Sequence, residues 1–311
     1  MSSLQSPSAP GEPTPAPGDS FEQALAKERR STEQIPDWPP WMAPAALLSA
    51  LVLAAVAGLI VDLPAAAFGV NITSSHIPGG LEIADTVVQD IVFVLTAVLF
   101  ARMGGRVVRS WQFGLRPPRI RWRRVAGLIV LLLVAFVVLS AIWSAVFHPE
   151  KEKVLETLGS HGGSTLLLLS AALTCIVAPI GEEFLFRGFI FTALRNWKGM
   201  WPAAIITGVL FGGVHVGSAP TLDLVPLMGL GFGLCLLYRY TGSLYPCMIA
   251  HSLNNSIAFG SLESWPFWQV VALIVGSLLA IGAIMLAGKR VGLITPPPSA
   301  VSAAPAIAAS T

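Results

Sequence analysis

The sequence predicts an all-α protein, a polytopic membrane helical bundle of about eight transmembrane helices. Hydrophobic residues make up 54% of the 311 residues and charged residues only 12%, whereas about a quarter of an ordinary soluble domain is charged. Apolar runs of about 20 residues, the length that crosses a hydrocarbon core, recur along the chain. The formal net charge is only +2, and no interleaved basic and aromatic residues indicate a nucleic-acid partner. The predicted partner of most of the surface is therefore the lipid bilayer.

Eight apolar runs define the predicted spans. They cover residues 41–61, 83–100, 125–147, 164–195, 200–216, 224–240, 243–262 and 267–286. The seventh run is the least apolar, so we expect it inside the bundle, where polar side chains can find partners. Together the spans predict one transmembrane domain over residues 41–290, with a motif-bearing core at 164–262. Residues 1–40 form a Pro- and Ser-rich segment that we expect to be a disordered tail, and residues 291–311 a flexible tail.

Basic residues are concentrated on one side of the predicted membrane. The loop between the second and third spans alone contributes eight arginines, Arg102, Arg106, Arg109, Arg116, Arg119, Arg121, Arg123 and Arg124. The same side receives Lys27, Arg29, Arg30, Arg195, Lys198, Arg239, Lys289 and Arg290, while the other side has Lys151 and Lys153. Because the positive side faces the cytoplasm, the sequence predicts a multi-pass protein of the cell membrane with both termini cytoplasmic.

Three charges interrupt the fourth span, in the stretch GEEFLFRG at residues 181–188. A charge at the centre of a membrane helix costs roughly 2.5 to 3.5 kcal/mol on insertion scales and usually marks a functional site. Glu183 and Arg187 are four residues apart and are expected to form an ion pair on one helix face. Glu182 is turned about 100° away, which leaves it without a local partner. An unpaired carboxylate in this position suits a general base.

Two further spans carry histidine. The stretch FGGVH ends in His215, and HSLNN places His251 and Asn255 four residues apart on one helix face. Counting about 1.5 Å per residue from the cytoplasmic helix ends places these side chains and Glu182 in the middle layer of a hydrocarbon core of about 30 Å. We therefore expect three helices to contribute to one polar chamber.

These three stretches resemble, in order and spacing, the EExxxR, FxxxH and HxxxN/D motifs of the CAAX protease and bacteriocin-processing family, also called the Abi family, of intramembrane endopeptidases. The resemblance covers residues 164–262 by motif. It implies hydrolysis of a peptide bond in a membrane-anchored protein or peptide substrate, as in the endopeptidase that trims prenylated CAAX proteins. It further implies that Glu182 activates a water with the help of His215, that His251 and Asn255 stabilise the oxyanion, and that Glu183 and Arg187 are supporting residues.

Members of the family have been described both as metalloproteases and as metal-independent glutamate proteases. The sequence lacks the HExxH helix by which many zinc proteases are recognised, and this favours metal-independent chemistry. Glu182, His215 and His251 could nevertheless form a three-ligand zinc site with an open position for water.

Other functions are compatible with parts of the same pattern. An ion- or proton-coupled transporter also uses intramembrane Glu, Arg and His, although the two halves of the chain show no repeat. A non-catalytic membrane scaffold or a bacteriocin immunity protein is a third interpretation. Cys247 stands four residues before His251 and could act as a nucleophile, but its apolar surroundings disfavour a thiolate. Asp90, in the second span, is interpreted as structural.

Overall fold

The computed structural model describes residues 36–70, 72, 79–147 and 164–297, and helices dominate this part of the chain. We number the long helical runs α1 to α8. They are α1 Met42–Ala67, α2 Gly79–Arg102, α3 Trp122–Phe147, α4 (residues 164–198, in five segments given below), α5 Met200–Gly213, α6 Leu224–Thr241, α7 Leu244–Leu262 and α8 Phe267–Arg290. No β-strand occurs in the described ranges, so the predicted polytopic helical membrane bundle is confirmed.

Six of these helices, α1, α2, α3, α4, α6 and α8, are long and apolar enough to cross a membrane. The 14-residue helix α5 is apolar but shorter. Helix α7 is not among the six, because its polar residues, including His251 and Asn255, lower its mean hydropathy. Among the described residues, the structure therefore supports six membrane spans by length and composition, where the apolar runs predicted eight.

Burial separates the central helices from the outer ones. Helices α3 and α8 expose most of their apolar side chains, as expected of helices that face lipid. In α4, every residue of the segment Phe184–Phe191 is buried. Helix α7 buries polar as well as apolar side chains, among them His251 and Ser252. The polar motifs consequently lie in the interior of the bundle and not on its lipid-facing surface.

The arginine-rich connection between α2 and α3 enters this interior at a short 3₁₀ helix, Ser110–Phe113. Phe113 is 2% exposed, and its ring stacks on that of Phe184 at a centroid distance of 4.4 Å. The Tyr238 hydroxyl donates to the carbonyl oxygen of Phe113 at 3.1 Å, and the Ser243 hydroxyl donates to that of Arg116. This connection thus packs against the motif-bearing part of α4, in addition to its predicted effect on topology.

Several predictions fall on parts of the chain that the structure does not describe. Residues 1–35, 148–163 and 298–311 are outside the described ranges. They include most of the first tail, part of the second tail, and the basic residues Lys27, Arg29, Arg30, Lys151 and Lys153.

Glycines allow α5 and α6 to approach closely. A β-carbon at Gly208 of α5 would lie 2.8 Å from the carbonyl oxygen of Met228 and from the backbone nitrogen of Phe232, both in α6. On the α6 side, a β-carbon at Gly231 would lie 3.0 Å from the α-carbon of Gly208. Small residues at membrane helix interfaces permit this kind of backbone contact. The contact places the carbonyl of Gly231 within reach of the polar motif of α4.

Replacing Gly208 by alanine is therefore expected to lower the melting temperature of the protein in detergent. The added methyl group meets backbone atoms, which cannot rotate away, and overpacking of this kind costs about 1–3 kcal/mol. Gly213→Ala is the matched control, because a β-carbon at Gly213 meets nothing within 4 Å. Equal melting temperatures for the two variants would contradict the close packing of α5 on α6.

Candidate active site

Helix α4 carries the acidic motif and is not a regular α-helix. It consists of the α-helical segments Ser164–Ala172, Ala178–Glu183 and Thr192–Lys198 and the π-helical segments Leu173–Val177 and Phe184–Phe191. The first π segment precedes Pro179, which lacks the N–H that would bond the Cys175 carbonyl in an α-helix. Single π turns of this kind are frequent at functional sites. Glu182 and Glu183 lie between the two π segments, at the end of a short α-helical stretch.

Helix α7 supplies the hydrogen bonds that the π turn and Pro179 leave open. The Ser252 hydroxyl donates to the carbonyl oxygen of Cys175 at 2.7 Å. The side-chain amide of Asn255 donates to the carbonyl oxygen of Thr174 at 2.9 Å. Because a buried carbonyl without a partner costs about 1–3 kcal/mol, these two bonds stabilise the irregular turn. They also fix α7 against α4 one to two helical turns before the glutamates.

A single carboxylate oxygen joins the two helices at the site itself. Oε1 of Glu183 accepts a hydrogen bond from Nη1 of Arg187 at 2.8 Å, which is the i, i+4 ion pair that the spacing predicts. The same oxygen lies 2.8 Å from Nδ1 of His251 on α7. The Glu183 and Arg187 side chains are both fully buried. A charged group in such a position is tolerated only when it is paired and hydrogen-bonded.

Arg187 extends this network to α6 and α5. Its Nη2 donates to the carbonyl oxygen of Gly231 at 3.1 Å, and the guanidinium carbon lies 4.3 Å from the centre of the Phe211 ring. A guanidinium over an aromatic face is stabilised by the ring quadrupole, and the attraction increases when both groups are desolvated. Arg187 therefore links α4, α5 and α6 through one side chain, and Glu183 adds α7 to the network.

Glu182 has a different environment from its neighbour. Its Oε2 lies 3.9 Å from Nε2 of His251, and this oxygen makes no hydrogen bond to any of the described residues. The side chain is 13% exposed, while that of Glu183 is fully buried. Glu182 is thus the one of the two adjacent carboxylates that is available to a water or substrate, as the helical period predicts.

The contacts of His251 determine which of its nitrogens carries a proton. A carboxylate oxygen can only accept hydrogen bonds, and Oε1 of Glu183 lies next to Nδ1 at hydrogen-bonding distance. Nδ1 must therefore be the donor in this contact. Nε2, which faces Glu182, is a lone pair in the neutral ring and an N–H donor in the cationic ring. The protonation state of His251 consequently decides whether Nε2 can stabilise a negative oxygen.

The other two predicted site residues, His215 and Asn255, contact backbone carbonyl oxygens. Nδ1 of His215 lies 2.7 Å from the carbonyl oxygen of Phe211, one turn back in α5. The Phe211 ring contacts both histidines, with centroid distances of 5.1 Å to His215 and 5.6 Å to His251. One hydrogen of the Asn255 amide is used by Thr174, and the second stays available. The catalytic roles of His215, His251 and Asn255 stay predictions.

The residues as arranged do not fit a three-ligand zinc site. Within the described ranges, no group of three or more His, Cys, Asp or Glu side chains is close enough together to hold a metal ion. Nδ1 of His215 is next to a backbone carbonyl and Nδ1 of His251 is next to Glu183, and these contacts would leave Nε2 of each ring as the ligating atom, as is usual in metal sites. The misfit lies in the separation of the side chains. No step of the mechanism proposed below uses a metal.

Ser252 is a site residue that the motifs do not predict, and Pro179 is the signal in the sequence that the Cys175 carbonyl needs another donor. Asp90, which the sequence predicts to be structural, is 2% exposed. Cys247 is fully buried, and its thiol contacts the carbonyl oxygens of Leu234 and Ser243 at 3.5 and 3.8 Å.

Comparison with known families agrees with the motifs. Residues 163–257 match the family model described as type II CAAX prenyl endopeptidase Rce1-like. The matched region contains all six predicted site residues, Glu182, Glu183, Arg187, His215, His251 and Asn255. The resemblance to CAAX-type intramembrane proteases is therefore confirmed for this region of the chain.

Curated relatives cover different parts of the chain. A protein of Bacillus subtilis named "Putative membrane peptidase YdiL" is 34% identical over 88 residues, which are 28% of this chain and 35% of that protein. UPF0177 protein YxdF of Lactococcus lactis is 25% identical over 152 residues, covering 47% of this chain and 83% of its own. An uncharacterized protein of Mycoplasma capricolum is 28% identical over 142 residues, 42% of this chain and 41% of that one.

The chain thus spans less than half the length of two of these three relatives. No solved structure matches the chain. The matched region is thus similar to type II CAAX prenyl endopeptidases, and one relative of the chain is named a putative membrane peptidase.

The hydrogen bond from Ser252 to the π turn yields a first prediction about the site. Ser252→Ala leaves the buried Cys175 carbonyl without its side-chain donor, and we expect a loss of stability of about 1–3 kcal/mol together with slower cleavage, because Glu182 is carried by the turn. Ser277→Ala is the matched control, since the Ser277 hydroxyl is buried without a hydrogen-bond partner in the described residues. A Ser252→Ala protein with the melting temperature and cleavage rate of the Ser277→Ala protein would contradict this role.

Proposed function

We propose that this protein is an intramembrane endopeptidase in which Glu182 activates a water and His251 and Asn255 stabilise the oxyanion. The observation that supports this most strongly is the position of Glu182, whose unpartnered Oε2 faces Nε2 of His251 at 3.9 Å inside the bundle. A base and a potential donor thus lie side by side, and both could reach a scissile carbonyl group and its attacking water placed against them.

The reaction begins with the attack of water on the carbonyl carbon of the peptide bond. Glu182 takes one proton from the water as the new carbon–oxygen bond forms, and the electron pair of the carbonyl moves to its oxygen. Nε2–H of His251 and the free amide hydrogen of Asn255 donate to this oxyanion, whose charge develops only in the transition state. His215, beyond the Phe211 ring, assists Glu182 in holding the water.

The second half of the reaction returns the proton. The tetrahedral intermediate collapses, the carbon–nitrogen bond breaks, and the protonated Glu182 delivers its proton to the leaving amine. Glu183 and Arg187 take no part in the bond changes. They hold the proton on Nδ1 of His251 and fix the ring so that Nε2 points at Glu182.

The proposed substrate is a peptide bond in a peptide or a membrane-anchored protein. The closed environment of Glu182, with 13% of its side chain exposed, suits an extended segment that is threaded between helices better than a folded chain. The family match names a prenyl endopeptidase, and we include lipid-modified proteins in the proposed substrate class.

Two single substitutions separate the roles of the adjacent glutamates. Glu182→Gln keeps the shape of the side chain but removes the proton acceptor, and we expect cleavage to fall at least roughly 10²-fold, as is typical for loss of a general base, with no fall in melting temperature. Glu183→Gln removes the counter-charge of Arg187, and breaking a buried ion pair costs roughly 3–5 kcal/mol. Its first defect should therefore be a lower melting temperature. Cleavage of a reporter peptide and melting in detergent measure both effects.

The double variant Glu183→Gln with Arg187→Met serves as the control for this experiment. It removes both charges of the pair, so it should recover part of the stability lost in Glu183→Gln. If Glu183→Gln were inactive but as stable as the wild type, and Glu182→Gln were unstable, the two roles would have to be exchanged. Transport of a solute by proteoliposomes without peptide cleavage would favour a transporter instead.

We also propose that both termini lie in the cytoplasm, in accordance with the basic residues of the described loops. Arg106→Cys, in the connection between α2 and α3, should then react with a membrane-impermeant maleimide only from the cytoplasmic side. Ser261→Cys, in the last turn of α7, should react only from the outside. Both positions are exposed, and the native Cys175, Cys235 and Cys247 are buried, so the unmodified protein is the control. Labelling of both variants from one side would refute this topology.

A further inference from the structure

Asp90 of α2 is a buried acid that the mechanism above does not use. Its side chain lies in the membrane-spanning part of the bundle and is 2% exposed. Neither Oδ1 nor Oδ2 has a hydrogen-bond partner among the described residues. Burying a polar group without a partner is unfavourable by several kcal/mol, and more so for an ionised group. Asp90 therefore costs stability unless a group outside the described residues, such as a bound water, satisfies it.

The position of Asp90 relates it directly to the acidic motif. It packs on Gly181, the residue before Glu182, where a β-carbon would lie 3.1 Å from Cβ and 3.2 Å from Oδ1 of Asp90. A side chain at position 181 would therefore crowd the Asp90 carboxyl group. Because Gly181 directly precedes Glu182 in the chain, Asp90 lies beside the backbone that carries Glu182. The contact between α2 and α4 thus brings two acids together across a glycine.

Both acids, Glu182 and Asp90, have oxygens that need a hydrogen-bond donor. Oε2 of Glu182 and both oxygens of Asp90 are buried and without partners in the described residues. While both are ionised, neither acid can satisfy the other, because a carboxylate oxygen only accepts hydrogen bonds. A water molecule offers two hydrogens and can donate one to each carboxyl group, which would satisfy both at once.

We propose that Asp90 is a further active-site residue, which holds the attacking water together with Glu182. Glu182 takes one proton of this water, and Asp90 accepts a hydrogen bond from the other hydrogen, which stays on the oxygen that attacks. The oxygen lone pair is then directed away from both carboxyl groups and toward the substrate. This inference rests on the proposed function, because it assigns Asp90 to the water of that reaction.

Asp90→Leu tests the proposal, because it replaces the acid by an apolar side chain of similar volume. The leucine side chain displaces the bound water together with the acid, and replacing both partners of a buried hydrogen bond by an apolar group of the same shape is nearly neutral or stabilising. The melting temperature should therefore be unchanged or higher. At the same time kcat should fall at least about tenfold with KM changed less than about twofold, since Asp90 acts on the water and not on substrate binding. Asp90→Asn, which keeps one acceptor oxygen, should lose less of kcat than Asp90→Leu.

Asp85→Leu is the matched control. Asp85 lies on the same helix, its Oδ1 is buried without a partner in the described residues, and it also lies next to a glycine, Gly58 of α1, at 3.6 Å from the position of a β-carbon. Its replacement should leave kcat unchanged. An Asp90→Leu protein with wild-type kcat would overturn the proposal, and so would failure of both Asp90 variants to fold, because Asp90 would then be a structural residue.

A stability measurement tests the carboxyl pair even if the protein cleaves no peptide. If Asp90 and Glu182 repel each other, Asp90→Asn and Glu182→Gln should each raise the melting temperature, and the double variant should gain less than the sum. Strictly additive changes would overturn the pairing. An inactive wild type with non-additive changes would overturn the proposed peptidase function and leave the pair in place, so the two failures are distinguishable.

Discussion

Oε1 of Glu183 makes the two contacts on which the arrangement of the site depends. It accepts from Arg187 on its own helix and from His251 on α7. A buried ion pair contributes little net stability, because desolvation offsets most of the attraction. Its removal is nevertheless costly, since the remaining charge is left without compensation. The pair therefore acts mainly as a constraint, which allows α4 and α7 only those positions in which both bonds form.

The irregular backbone of α4 follows from the same constraint. Pro179 has no N–H to donate to the carbonyl oxygen of Cys175, and a π turn stands at this point of the helix. The side chains of Ser252 and Asn255 in α7 donate to carbonyl oxygens of this turn. The turn and the carboxylate thus fasten the same two helices at two levels. Between these levels lies Glu182, whose oxygen keeps no partner in the described residues. A rigid frame around one unsatisfied acid is the arrangement that preorganised catalysis requires.

Sequence reasoning identified the parts that have a local cause. The Glu183–Arg187 pair follows from a spacing of four residues, and the apolar runs follow from the thickness of a membrane. The bond between Glu183 and His251 joins residues 68 positions apart. The spacing of the motifs does not determine whether His251 bonds Glu182 or Glu183. Asn255 was assigned to the oxyanion by resemblance, and its bond to Thr174 depends on a π turn that propensities do not reveal.

Asp90 and Phe113 show two further limits of a sequence pattern. Asp90 is a single acid in an apolar helix, and its meaning depends on Gly181 of another helix. Phe113 lies among arginines, which indicate a solvated loop, yet its ring packs against Phe184 inside the bundle. In both cases a tertiary contact, and not a local preference, decides the role of the residue.

A double-mutant cycle between Glu183 and His251 tests the central claim, that Oε1 of Glu183 fixes the His251 ring opposite Glu182. The measured quantity is kcat/KM for cleavage of a reporter peptide by Glu183→Gln, His251→Ala and the double variant. The account predicts that each single variant loses activity and that the double variant loses no more than His251→Ala alone, because Glu183 acts on the reaction through His251. Losses that multiply in the double variant would show that the two residues act independently, and they would contradict the account.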